Sequence, residues 1–226
     1  TIIMFMAVVG LIDNENTDLC IRGNGKTCTL TYYLYRYFLQ NKKIWTNYET
    51  TFSDEVIGFQ EMINRLKDMQ KKQQKINIIL GVTEMQDLIN SIGSDKSQTL
   101  FVDSFANQMR KLNTDCLYDT QVFKSIQIKL RRHTEHIRIP FKLHLNEQQC
   151  NFDRCQEQHL IDIYSYKPFI KTPIKRIKAY EVGKLYNSME VVIDKLEIPK
   201  EEKTQKVKPV IKEIKEINKE IELNGD

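Results

Sequence analysis

Gly23-Asn24-Gly25-Lys26-Thr27 stands between an apolar run, Thr1 to Val9, and an amphipathic stretch, Thr27 to Gln40, and this placement decides the fold. Thr1 to Val9 is bulky and β-branched without polar alternation, the pattern of a strand covered on both faces in a parallel sheet. Leu30, Tyr33, Leu34, Tyr37 and Phe38 recur at helical spacing. A glycine-rich turn from such a strand into such a helix presents backbone amides to an anion at the positive end of the helix dipole. Lys26 is then placed to reach the β and γ phosphates of a nucleotide, and the Thr27 hydroxyl to ligate Mg²⁺.

The complete phosphate-loop pattern, G-x-x-x-x-G-K-[ST], fails when counted back from Gly25, because Cys20 occupies the first glycine's place. Removing Leu11 to Cys20 repairs it: the spliced string Gly10-Ile21-Arg22-Gly23-Asn24-Gly25-Lys26-Thr27 fits at every position. The sequence therefore predicts an insertion at the tightest bend of the loop. The amides of Gly23 to Thr27 keep the anion nest, while the tight exit from the strand is lost.

Outward from this loop, strands and helices alternate. Lys42 to Tyr48 reads as a strand, and Asp54 and Glu55 open a helix carrying Val56, Phe59, Met62, Ile63, Leu66 and Met69. Ile76 to Val82 is a buried strand, Ser97 to Lys111 a helix, and Asp115 to Tyr118 the strand after it. This order predicts an α/β fold, a mostly parallel sheet flanked by helices. Past Pro140 the helical period stops, and stretches such as His159 to Tyr164 predict a small mixed β addition over 140–198. From Pro199 Lys and Glu interleave around Val210, Ile211, Ile214, Ile217 and Ile221, a charged helical tail over 199–226 that rests on its own domain or meets another subunit.

A second constellation follows the strand Ile76 to Val82. In phosphate-loop enzymes an Asp at the end of this strand holds Mg²⁺ through water, and a Glu one place later polarises the attacking water. Thr83 takes the Asp place and brings no charge; Glu84 takes the Glu place and is the general-base candidate, with Asp87 a weaker alternative ligand. Gln121, at the carboxyl end of a neighbouring strand, offers an amide to orient water against the γ phosphate.

Composition bounds the rest. The chain has 226 residues, 41% apolar and 28% charged, enough to bury a core without a metal or disulfide merely to fold. A net charge of +4 permits an anionic partner without naming one. Five cysteines, an odd number with no paired framework and no secretory leader, predict reduced thiols in a cytoplasm, and the opening apolar run is too short to cross a bilayer.

With these residues in place the chain resembles the FtsK/HerA-like P-loop ATPases, and within them the zonular-occludens-toxin-like and archaeal viral genome-packaging ATPases. The resemblance runs through Lys43 to Tyr48, Thr83 to Asp87, Gln108 to Lys111, Tyr118 to Gln121, Lys129 to Thr134 and Gly183 to Ser188. It implies a RecA-like sheet with an additional strand between the two nucleotide strands, and a ring, a hexamer in the family. It also implies ATP hydrolysis that drives double-stranded DNA translocation, with a capsid or portal protein as partner. By the same resemblance Glu84 is the catalytic glutamate, Gln121 the sensor amide, and Arg110 a finger reaching the neighbouring subunit's site, with Arg131 and Arg132 as rivals. Lys124, Lys129, Arg131 and Arg132 are the basic residues offered to a pore. Two other readings stay open: a small-molecule kinase, for which no arginine-bearing lid is visible, and a degenerate phosphate-loop scaffold that binds nucleotide or a partner without hydrolysis.

His144, Cys150, Cys155 and His159 form H-x5-C-x4-C-x3-H, four donors able to close a tetrahedral Zn²⁺ site, though the spacing matches no common finger and buried free cysteines beside surface histidines are the plainer reading.

Overall fold

β1 (Phe5–Leu11) enters the middle of an eight-stranded sheet, where Phe5, Met6, Ala7, Val8 and Val9 are all buried, as an apolar run without alternation requires. The computed structural model describes residues 5–11, 24–73, 77–90, 95–150, 155 and 157–187, all within a unit spanning Thr1–Asp194. Arg22, Gly23, most of the expected insertion and the tail over 199–226 lie outside the described residues.

In chain order α1 (Lys26–Phe38), β2 (Lys43–Thr46), β3 (Glu55–Val56), α2 (Phe59–Lys71), β4 (Ile78–Val82), α3 (Met85–Asn90), α4 (Asp95–Leu112) and β5 (Asp115–Val122) follow. Then come α5 (Ile128–His133), β6 (Thr134–His144), β7 (His159–Lys167), β8 (Ile170–Lys178) and α6 (Ala179–Val182). The strand order is β3-β2-β4-β5-β1-β6-β7-β8; pairing is parallel from β3 to β6 and antiparallel from β6 to β8. β5 lies between β1 and β4, the additional strand that the resemblance implies.

Helices cover both faces. Phe59, Met62, Ile63 and Leu66 of α2 pack with Val102, Phe105 and Met109 of α4 against one side, and Leu30 and Leu34 of α1 with Tyr48 and Phe52 against the other. The fold class is therefore the expected one, α/β with a mostly parallel sheet.

Three boundaries differ from the sequence reading, each for a tertiary reason. Asp54 and Glu55 do not open α2: the Asp54 carboxylate accepts from the Ile44 amide at 2.7 Å and the Asp54 amide donates to the Ile44 carbonyl at 2.9 Å. Glu55 and Val56 then pair with Trp45 and Thr46 as β3, so α2 starts at Phe59. β5 runs on to Val122 because β1 continues beside it to Leu11, which makes Asp119, Thr120 and Gln121 strand residues and puts Gly10 inside β1. The β-rich stretch begins at Thr134, and β6 pairs with β1, so it extends the main sheet.

Candidate nucleotide site

The described residues of the expected phosphate loop lead into the first turn of α1. Gly25 is the residue before the helix, at φ +93°, and a Cβ there would meet Ile161 Cδ1 of β7 at 2.5 Å. The left-handed backbone is what calls for glycine here, while a Cβ would in addition require the end of the Ile161 side chain to shift. No acidic residue occupies the first turn of this thirteen-residue helix, so its positive end is left for an anion.

Lys26 and Thr27 begin α1 and point to β5. The buried Lys26 ammonium donates to Gln121 Oε1 at 2.7 Å, and the Thr27 hydroxyl to Asp119 Oδ2 at 3.0 Å. From β4's end, the Glu84 amide donates to Asp119 Oδ1 at 2.8 Å, and Gln121 Nε2 donates to Glu84 Oε1 at 3.3 Å. Lys26, Thr27, Glu84 and Gln121, four residues separated by up to 95 positions, form one closed network around Asp119 at the carboxyl ends of β4 and β5. Open α/β sheets gather their ligands at that edge.

Asp119 is the residue that sequence reasoning missed. Val82 of β4 is in register with Tyr118, so Asp119 stands level with Thr83 on the adjacent strand. The negative charge lacking at Thr83 is supplied one strand over, and it is this carboxylate that holds Thr27. Thr83 itself turns to Asn47: its amide donates to Asn47 Oδ1 at 2.8 Å, its hydroxyl lies 3.4 Å from the same atom, and its carbonyl accepts from Asn47 Nδ2 at 3.1 Å. Engaged by Asn47 in this way, Thr83 makes no hydrogen bond to Thr27, and the carboxylate that meets the Thr27 hydroxyl is that of Asp119. Burial raises the Asp119 carboxyl to about 6, against the lowering effect of the Glu84 amide and the Lys26 charge.

Two further residues set the geometry. Glu84 adopts φ +52°, a left-handed backbone that a non-glycine residue holds only where its surroundings fix it. Gln86, two residues on, accepts from the Thr120 hydroxyl at 2.6 Å and the Gln121 amide at 3.0 Å, pinning this turn to β5. A signal for Asp119 did exist: a carboxylate within Cys116-Leu117-Tyr118-Asp119 breaks a buried strand at a cost that only a partnered, working group repays. For Asn47 and Gln86 none did, since polar residues after a strand are ordinary.

The remaining candidates sit elsewhere. Arg110 is exposed near the carboxyl end of α4, which leads into the amino end of β5, away from this chain's own network. Asp87 and Arg132 are exposed, Arg131 is half-buried in α5, and Lys129 of the expected pore residues is ion-paired with Asp103. His144, Cys150, Cys155 and His159 gather at the β6–β7 connection.

The residues present fit Mg²⁺ with a nucleoside triphosphate. The donor set pairs a buried ammonium and a helix start for phosphate with a hydroxyl and a buried carboxylate for a hard cation. The buried Asn24 carboxamide oxygen, beside the loop, has no hydrogen-bond partner among the described residues. No described helix is long and apolar enough to cross a membrane.

The sequence matches no family model and no curated protein. Among solved structures the chain is similar to the N-terminal domain of zonular occludens toxin from Neisseria meningitidis, with TM-score 0.48 and 12% identity over 83% of this chain and 100% of that one. It is also similar to a KaiC-like protein from Pyrococcus horikoshii, TM-score 0.45 and 9% identity over 77% and 84%. Flagellar accessory protein FlaH from Methanocaldococcus jannaschii follows, with TM-score 0.42 and 9% identity over 77% and 84%.

Proposed function

We propose that the chain is a P-loop ATPase that hydrolyses ATP with Mg²⁺ at the α1–β4–β5 edge. One observation carries this reading: Lys26, Thr27, Glu84 and Gln121, picked out of sequence by their types, are joined through Asp119 into a single network. Lys26 and the start of α1 would hold the phosphates, and Thr27 with Asp119 behind it would hold Mg²⁺, which supplies charge neutralisation on the phosphate oxygens. Glu84 takes the proton of the attacking water, and the Gln121 amide, bonded to both Lys26 and Glu84, keeps base and ammonium in fixed relation.

The work done with that hydrolysis is, in this proposal, translocation of double-stranded DNA by a ring of subunits, as in viral genome packaging, with Arg110 completing a neighbour's site. Its support is the resemblance of the ordered motifs, together with β5 lying between β1 and β4. The uncharged Thr83 favours the second reading, a scaffold that binds nucleotide without turnover. ATPase assays with and without duplex DNA, run beside Glu84→Gln, separate the two. DNA-stimulated turnover that the variant loses supports the motor; nucleotide binding without turnover in both proteins supports the scaffold.

A further inference from the structure

We infer that His144, Cys150, Cys155 and His159 bind one Zn²⁺ that clips the connection between β6 and β7. One ligand atom from each residue lies within 4.8 Å of all the others. Backbone pairing, rather than loose side-chain packing, brings three of the four together. His144 and His159 are direct partners in the antiparallel register, with ring centroids 5.1 Å apart. After β6 the chain doubles back: the His144 amide donates to the Gln148 carbonyl at 2.8 Å and the Cys150 amide to the Lys142 carbonyl at 2.9 Å. That return lays Cys150 Sγ 3.2 Å from His159 Nε2.

The chemistry selects zinc. Two thiolates and two imidazoles are the donor set of a closed tetrahedral zinc site, and four protein ligands leave no position for substrate, so the ion is structural. Zinc–sulfur and zinc–nitrogen bonds of about 2.3 and 2.0 Å put tetrahedral ligand atoms roughly 3.3–3.8 Å apart. The Cys150–His159 contact already has that order of separation. The two thiol protons are released to solvent on binding, and two thiolates then cancel the ion's charge, which suits a site where Cys150 and His159 are buried. Glu157 comes within 2.8 Å of His144 Nδ1, near enough to pair with it although angled away from hydrogen-bond geometry.

The clip also has somewhere to transmit its effect. From His159, β7 continues with Ile161 and Ile163 on the same face, and both pack with Cys28 of α1. Ile161 is the side chain that presses on Gly25. Fixing the start of β7 therefore braces one wall of the phosphate loop, whatever that loop hydrolyses.

The test is metal analysis of the full chain purified without a histidine tag, beside Cys155→Ala and the double variant Cys150→Ser/Cys155→Ser. The expected result is about one Zn²⁺ per wild-type chain and less than about a tenth of that in the double variant. Co²⁺ added to stripped wild type should give the thiolate charge-transfer and tetrahedral d–d bands, weakened in Cys155→Ala, whose half-buried side chain can be removed without opening the core. Zn²⁺ should raise the melting temperature of stripped wild type. Wild type without zinc, without cobalt bands and without a thermal shift would overturn the inference. So would zinc held equally by the double variant, which would place the metal on other cysteines.

Discussion

β4 and β8 belong to one sheet yet live in different solvents. Every residue of β4 is buried, whereas in β8 only Ile177 is, and Lys171, Lys175, Arg176 and Lys178 face water beside Pro173. In the parallel half, burial on both faces makes an unpartnered polar group costly. Asp119, Thr83 and Thr120 are each partnered, and the result is a fixed constellation. In the antiparallel extension, lysines and a proline guard an edge strand against pairing with other chains, at the loss of apolar contact. That half buries a smaller apolar cluster, Ile161, Ile163 and Ile177, and carries at its edge the bidentate Arg176–Asp162 pair, at 2.6 and 2.9 Å. The hydrogen-bonded network lies in the buried parallel half, and Ile161 of the extension sits against Gly25 beside it.

The contrast can be broken most sharply at Glu84. Glu84→Gln keeps the side-chain shape and removes the base, so turnover should fall ~10²–10⁴-fold with nucleotide affinity retained, as single-turnover and equilibrium binding measurements would show. Equal loss of affinity would mean that Glu84 is a scaffold residue like its neighbours.

Asp119→Asn tests whether the buried half supplies the missing charge. It should raise the Mg²⁺ concentration needed for half-maximal nucleotide binding by ~10–100-fold, the usual cost of losing a carboxylate behind a metal ligand. The same variant has a metal-free signature. With its carboxyl raised from 3.8 to about 6, the folded chain keeps a proton that the unfolded chain has lost across that window. Stability from this group therefore falls as pH rises from about 4 to about 6 and levels off above, by at most about 3 kcal/mol. Melting curves of parent and variant should diverge in the variant's favour over that range. Curves that stay parallel would show a carboxylate ionised throughout.

Gly25→Ala probes the contact between the halves. A left-handed backbone at a residue with a Cβ costs about 1–2 kcal/mol. The new Cβ also meets the Ile161 side chain, so Ile161→Val should recover part of the lost melting temperature. No recovery would mean that the backbone alone sets the cost. The smallest effect on turnover is expected in the extension: Arg176→Leu should lower the melting temperature, because it leaves the buried Asp162 carboxylate without its partner, yet keep ATP turnover within about twofold, because neither Asp162 nor Glu147 is a member of the hydrogen-bonded network.

The helices α1 and α4 and the strands β1, β2 and β4 were legible because apolar spacing is a local property, and each of these elements buries a face consistent with its own period. The start of α2 was misread at Asp54 because an acid before an apolar run looks like a helix opening, while its real partner, the Ile44 amide, comes from a different element. Lys26, Thr27, Glu84 and Gln121 were legible from residue type and position. Asp119 was passed over as part of a loop because β5 could be lengthened only by knowing that β1 reaches Leu11 beside it.

By itself the sequence determined the α/β order, the glycine-rich turn before α1 and the four candidate side chains Lys26, Thr27, Glu84 and Gln121, since these depend on neighbours a few positions away. Only the tertiary structure decided which strand lends the carboxylate and set Ile161 against Gly25. It alone also brought His144, Cys150, Cys155 and His159 within ligand reach of one another. The physical reason is register: a hydrogen-bonded sheet sets residues dozens of positions apart a few ångströms from each other, and no local pattern in the chain encodes that alignment.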